Sequence, residues 1–188
     1  MKPLKDTLNE SLLDDEDELF DRNYKTLIEL WIKENYKIHG TLKIYKDTLG
    51  FVVDSNDDVE VTNKDIKSLT NGMFQWGEII GRFNCDKCKK LTSLKGAPNE
   101  CDNFYCFECT ELRTLEGAPN ECVWFKCSGC IKLTSLKGVP SKCDSFNCSK
   151  CTELRSLEGV PVGATIKCSD CTNLIITDNE LKKYKIKS

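Results

Sequence analysis

Phe83-Asn84-Cys85-Asp86-Lys87-Cys88-Lys89-Lys90-Leu91-Thr92-Ser93-Leu94-Lys95-Gly96-Ala97-Pro98-Asn99-Glu100-Cys101 is the first full copy of a pattern that starts again at Phe104, Phe125 and Phe146. The step is 21 residues, the copy from Phe146 is one residue shorter, and a truncated copy begins at Ile166. The shared string is F-x-C-x-x-C-x-x-L-x-x-L-x-G-x-P-x-x-C. A unit this short cannot bury its own apolar face, so neighbouring copies must stack into a solenoid with one continuous core.

The spacing within a copy says how the chain turns. Phe and the first Cys lie two apart, so on a strand both point to one face and the residue between them to the other. The second Cys of each C-x-x-C sits just beyond the strand, where the backbone turns and its polar groups need partners. Leu91 and Leu94, with their equivalents through Leu154 and Leu157, supply two more inward positions. Gly96 and Pro98, and the same pair in later copies, mark the return side as turns that leave no room for a long helix.

All thirteen cysteines fall in three columns of the repeat. Cys85, Cys106, Cys127, Cys148 and Cys168 form one, and Cys88, Cys109, Cys130, Cys151 and Cys171 the next. Cys101, Cys122 and Cys143 form the third. An odd number in a chain without a secretory signal argues against a disulfide framework. Two C-x-x-C pairs on adjacent rungs, such as Cys106 and Cys109 with Cys127 and Cys130, would offer four thiolates to a structural zinc ion. The same positions are explained without metal if each Cys packs inward as a small hydrophobe. The packing reading is the simpler, and the expectation is no cofactor.

These strings resemble cysteine-type leucine-rich repeats, in which Cys or Asn occupies the turn after a short parallel strand. Leu91-Thr92-Ser93-Leu94-Lys95-Gly96-Ala97-Pro98 and Leu112-Arg113-Thr114-Leu115-Glu116-Gly117-Ala118-Pro119 are similar to the L-T-S-L-E-G-A-P repeats of tailed-bacteriophage proteins. The resemblance implies a leucine-rich-repeat solenoid of the α/β horseshoe class, here mostly short parallel strands and turns. It also implies a phage-encoded protein acting in the cytoplasm of an infected bacterium, and a role in binding other macromolecules. Met1 to Glu10 resembles the capsid-targeting propeptides of phage internal head proteins, with Leu8-Asn9-Glu10 as the cleavage triplet and the cut between Glu10 and Ser11. That would place the protein in the virion, where the alternative to a binding role is a structural or internal protein without a discrete ligand.

Outside the regular array at 83–176, the segment 38–82 reads as degenerate rungs, with Val59 to Leu69 a rung carrying Asn63 where later copies have Cys. Residues 15–37 read as a helix that caps the first rung, from the spacing of Phe20, Tyr24, Leu27, Ile28 and Trp31 and the acids Asp14 to Glu18 at its start. Residues 1–14 read as an acidic, flexible lead. Residues 177–188 read as a closing helix or strand.

Charge columns have a two-repeat period: Lys90, Glu111, Lys132 and Glu153 alternate in sign, as do Lys95, Glu116, Lys137 and Glu158. Rungs stack ~4.8 Å apart, so alternating charges pair where like charges would repel. The net charge of −3 provides no overall basic field for nucleic acid or anionic lipid. The single histidine, His39, lies outside the array, and the repeats bring together no acid, base and nucleophile, so an enzyme is not expected. No apolar run is long enough to span a bilayer.

The expected functional surface is the concave strand face, where the outward residue varies from rung to rung: Asn84, Tyr105, Lys126, Asn147 and Lys167. Phe107 and Trp124 join Tyr105 there as an aromatic patch of the kind that anchors a protein partner. Packing of these rings against a neighbouring loop is the competing reading. The oligomeric state stays open.

Overall fold

A computed structural model describes residues 4–187, with side chains from residue 17 onward. The proposed propeptide cut between Glu10 and Ser11 lies outside the residues whose side chains are described. The chain forms two compact units, Met1–Glu34 and Asn35–Ser188.

The first unit is helix α1 (Leu4–Asn35), which precedes the solenoid in the chain. It begins well before residue 15, because Leu4–Asn35 contains neither Gly nor Pro to stop it. The acids at 14–18 are therefore mid-helix, and the dipole argument for a start at that point does not hold. The rings of Phe20 and Tyr24 stack at 5.9 Å. Ile28 of the expected apolar stripe is buried, whereas Phe20 and Leu27 are exposed.

The second unit is a parallel β-solenoid of about six turns with little helix, the class expected from the repeat. Its strands are β1 (Tyr36–Ile38), β2 (Leu42–Asp47), β3 (Gly50–Ser55), β4 (Val59–Val61), β5 (Gln75–Asn84), β6 (Glu100–Tyr105), β7 (Glu121–Lys126), β8 (Lys142–Asn147) and β9 (Thr165–Lys167). Helix α2 (Asp178–Lys183) and strand β10 (Lys185–Lys187) follow. The sheet runs β1-β4-β5-β6-β7-β8-β9-β10, and β3, with β2 outside it, also pairs with β5.

The phenylalanines set the register. Phe83, Phe104 and Phe125 are each the Cα partner of the next, and Phe146 pairs with Ile166. Their rings are fully buried and nearly parallel, with centroids 5.6, 5.3 and 5.2 Å apart from Phe83 to Phe146. Beside this stack run the leucine columns, Leu91 to Leu154 and Leu94 to Leu157, every member at most 1% exposed. Each buried Phe or Leu contributes about 1.5–3 kcal/mol through removal of apolar surface from water. Tyr36, Phe74 and Trp76 close the N-terminal end of the ring stack edge-on, with Trp76 5.7 Å from Phe83.

Each strand also turns a corner. In β7, Cys122 and Phe125 face inward while Val123 and Trp124, adjacent between them, are both exposed. Strict alternation would have put one of those two inside. The sheet surface is thereby divided into two outward faces, one at each end of the strands.

The segment 38–82 differs from the expected run of degenerate rungs. Val59 to Leu69 is a rung: β4 pairs parallel with β5, and Ile66 and Leu69 take the buried leucine places. Leu42–Ser55, however, is an antiparallel hairpin. The Asp47 carboxylate accepts from Leu49 N at 2.7 Å and Gly50 takes φ 128°, a local turn that outcompetes a longer return path. At the other end, Thr177 and Glu180 form a capping box that starts α2, and β10 then adds parallel to β9.

The charge columns pair two by two. Glu111 meets Lys132 at 2.6 Å, Lys95 meets Glu116 at 3.0 Å, and Lys137 meets Glu158 at 3.7 Å, while Lys90 turns back to Asp65 at 3.1 Å. All these groups are substantially exposed, so they favour the stacking register and add little to stability.

At the Gly-x-Pro turns within the array the rungs lie too close for a side chain. Gly117 has φ +86°, and a Cβ there would lie 2.6 Å from Lys95 Cα and 2.7 Å from Leu94 O. Gly117→Ala is expected to cost more than the ~1–2 kcal/mol of the left-handed conformation alone, because backbone atoms cannot move aside. Gly163→Ala, with φ +87° and open space around it, should cost only the conformational part. Urea unfolding compares the two, and equal losses would contradict the close rung contact. Phe125→Ala is expected to remove about 3–5 kcal/mol, and a loss under about 1 kcal/mol would mean that the ring stack does not hold the rungs.

Candidate functional site: an aromatic and basic strip beside a buried thiol ladder

The cysteine columns are structural in geometry. The second cysteine of each pair donates its S–H to the backbone carbonyl of the first cysteine one rung earlier: Cys109 to Cys85 O at 3.1 Å, Cys130 to Cys106 O at 3.1 Å, Cys151 to Cys127 O at 3.2 Å and Cys171 to Cys148 O at 3.0 Å. A carbonyl at a buried turn must find a donor, and a thiol is small enough to reach it without displacing the leucines. Cys88 lacks this bond because the Lys64 ammonium takes the Val61 carbonyl in its place. The N–H of each first cysteine goes to the following rung, Cys85 to Tyr105 O and Cys106 to Lys126 O, both at 2.8 Å. The residue before the second cysteine lies in the left-handed region in every copy, at Lys87, Glu108, Gly129, Lys150 and Asp170.

Within the array this ladder needs protonated thiols: contact with the Cys85 thiol raises the donor Cys109, and burial pushes the neighbouring Cys85, Cys106 and Cys127 above the ordinary thiol range. Among the described residues, no three Cys, His, Asp or Glu side chains are placed to share a metal ion. Of the two pairs Cys106/Cys109 and Cys127/Cys130, Cys109 and Cys130 donate to backbone carbonyls, and the Cys106 and Cys130 thiols also meet across the rungs.

The last rung differs. Cys168 and Cys171 are partly exposed, whereas the other eleven are buried. Contact with the Cys148 thiol, helped by the backbone N–H groups of Cys151 and Lys150, lowers Cys171 to about 7. Burial raises Cys168.

On the exposed face the sequence-expected residues come together as a strip. Asn84, Tyr105, Lys126, Asn147 and Lys167 are successive Cα partners across β5 to β9. Trp124, one residue before the inward Phe125, belongs to a second row with Arg82, Asn103 and Ser145. Lys126 joins the two rows: its Nζ lies 4.4 Å from the Tyr105 ring centroid and 5.3 Å from that of Trp124. Arg82 Cζ approaches Tyr105 from the other side at 5.6 Å. Each such contact is worth about 0.5–1 kcal/mol at an exposed site, enough together to hold the rings upright.

Trp124 is 48% exposed, so it is not packed against a loop. Phe107 departs from the expected compact patch. It is half-buried and lines a depression of about 300 Å³ with Asp86, Tyr105 and Lys126, while Trp124 borders a separate one of about 290 Å³ with Lys126, Ser145 and Asn147. Lys126 is the divide between them. Asp86 accepts from Phe107 N at 2.7 Å, and burial raises its carboxyl despite that bond.

Arg82 and Asp86 are the two members that the sequence reading missed. Arg82 was legible as the residue in the Trp124 column. It is held by Asp58, which accepts from its backbone N–H and its guanidinium, both at 2.7 Å.

Alkylation of the native protein at neutral pH is expected to modify Cys171 first and Cys168 next, leaving eleven thiols until denaturant is added. The lowered Cys171 implies that its rate rises through about pH 7, below an ordinary thiol, because the thiolate is the nucleophile. Mass spectrometry of the labelled peptides reads both, and prompt labelling of Cys109 or Cys130 would contradict the ladder.

No protein-family model, curated protein or solved structure matches this chain.

Proposed function

We propose that this chain is a non-catalytic binding module, and that the strip of Tyr105, Trp124 and Lys126 engages a protein partner. The observation that supports this reading most is Trp124 itself: a large aromatic side chain, about half exposed on a regular sheet and held in place by Lys126. Aromatic and cationic side chains with restricted rotamers dominate binding energy, since little further freedom is lost on contact. The Phe, Cys and Leu columns account for the fold without these residues, so their identity is free to serve recognition. The repeat phrases of the sequence favour a phage-encoded protein acting on a host or phage protein, and this origin is part of the proposal.

The test is affinity capture from bacterial lysate with the wild-type protein and with Tyr105→Ala/Trp124→Ala, followed by titration of any captured protein. Loss of each anchor is expected to cost about 2 kcal/mol or more, or about thirtyfold in Kd, with an unchanged thermal transition. A partner that binds the double variant as tightly as the wild type would refute the strip as the interface.

A further inference from the structure

The other outward face, at the N-terminal ends of the strands, has a different character. Glu78, Glu100, Glu121 and Lys142 are successive Cα partners across β5 to β8. Two residues further along each strand come Ile80, Asp102, Val123 and Asp144. Together these residues border an open groove of about 390 Å³, floored in part by Cys101 and Cys122. Ile80 is 57% exposed and Val123 45% exposed, so the groove presents two aliphatic side chains to solvent between carboxylates.

Charge is segregated here. The groove holds five carboxylates and one ammonium, a local charge of −4, in a chain whose total is −3. Among the described residues, only Glu121 of the five forms an ion pair, with Lys142, whose charge also reaches Glu100; all but Glu121 are exposed to solvent. The carboxylates are spread along the rungs ~4.8 Å apart, and no three converge on a point where one ion could sit. Their spacing therefore suits several cations carried on one chain, and the aliphatic pair between them suits an apolar side chain on the same chain.

We infer that this groove docks an extended, basic segment of a partner protein, with lysine or arginine side chains on Glu78, Glu100, Asp102 and Asp144 and an apolar side chain over Ile80 and Val123. The site is distinct from the aromatic strip and does not depend on it. Complementary charge speeds encounter and fixes register, and the aliphatic contact gives selectivity over other cations.

The test is fluorescence anisotropy with a labelled peptide, Lys-Val-Lys-Leu-Lys-Val-Lys with blocked ends, against the full chain at low and at physiological salt. A second peptide has serine in place of the three apolar residues. Binding to the wild type is expected to weaken as salt rises. It is expected to fall about tenfold in Glu100→Gln/Asp102→Asn, and likewise in Ile80→Ser/Val123→Ser. Asp144→Asn provides an independent variant should either pair perturb the thermal transition. Tyr105→Ala/Trp124→Ala should bind the peptide unchanged. The inference is overturned if the serine peptide binds equally well, which would mean undirected charge attraction. It is also overturned if the groove variants keep full affinity, or if sedimentation shows that a second copy of the chain already fills the groove.

Discussion

Everything in the solenoid follows from the requirement that each rung lie in parallel register on the last, one strand spacing away. Once that holds, like residues stand on like residues. A buried phenylalanine can then stack on the next at 5.2–5.6 Å in an offset or parallel arrangement that no isolated rung could provide. The same constraint would be costly for polar groups, because a buried carbonyl repeated in every copy would be an unsatisfied acceptor in every copy. The thiol ladder resolves this, each second cysteine from Cys109 onward capping a carbonyl of the rung before it, with Lys64 doing so at the first rung. Outside, the constraint penalises like charges, and alternating lysine and glutamate relieve it in pairs.

Register also explains where function has room. Inward columns are held to buried apolar residues, since a rung that lost its Phe or Gly would disturb two neighbours. Outward columns carry no such duty. Because each strand turns a corner between two adjacent exposed residues, the chain has two outward faces to vary: one aromatic and basic around Lys126, the other acidic and aliphatic around Val123. A molecule with a near-neutral total charge thus presents two surfaces of opposite character, a property that the overall composition conceals.

The inward columns were legible in the sequence because a period of 21 residues repeats each inward position in four copies, and the row Asn84, Tyr105, Lys126, Asn147 and Lys167 followed from the same period. What was not legible lies where the period is absent or broken. The Leu42–Ser55 hairpin is a single local event decided by the Asp47 turn. The early start of α1 reflects the lack of a helix breaker, whereas the acidic cluster suggested a start where none was needed. Zinc remained an alternative in the sequence because C-x-x-C spacing is the same whether thiols converge on a metal or donate to carbonyls. The second outward face was hidden by the corner, since strict alternation assigns one face to all outward residues. Phe107 was grouped with Trp124 for the same reason, and the structure places Lys126 between them.

Native-state hydrogen exchange at the turn amides of Lys87, Glu108, Gly129 and Lys150 tests the central claim most directly. Each N–H donates to a carbonyl of the following rung at 2.7–2.8 Å. Parallel in-register stacking requires these four amides to be protected together and to open only with the global transition. Rapid exchange at these positions, with protection confined to α1, would show that the rungs do not stack in this register.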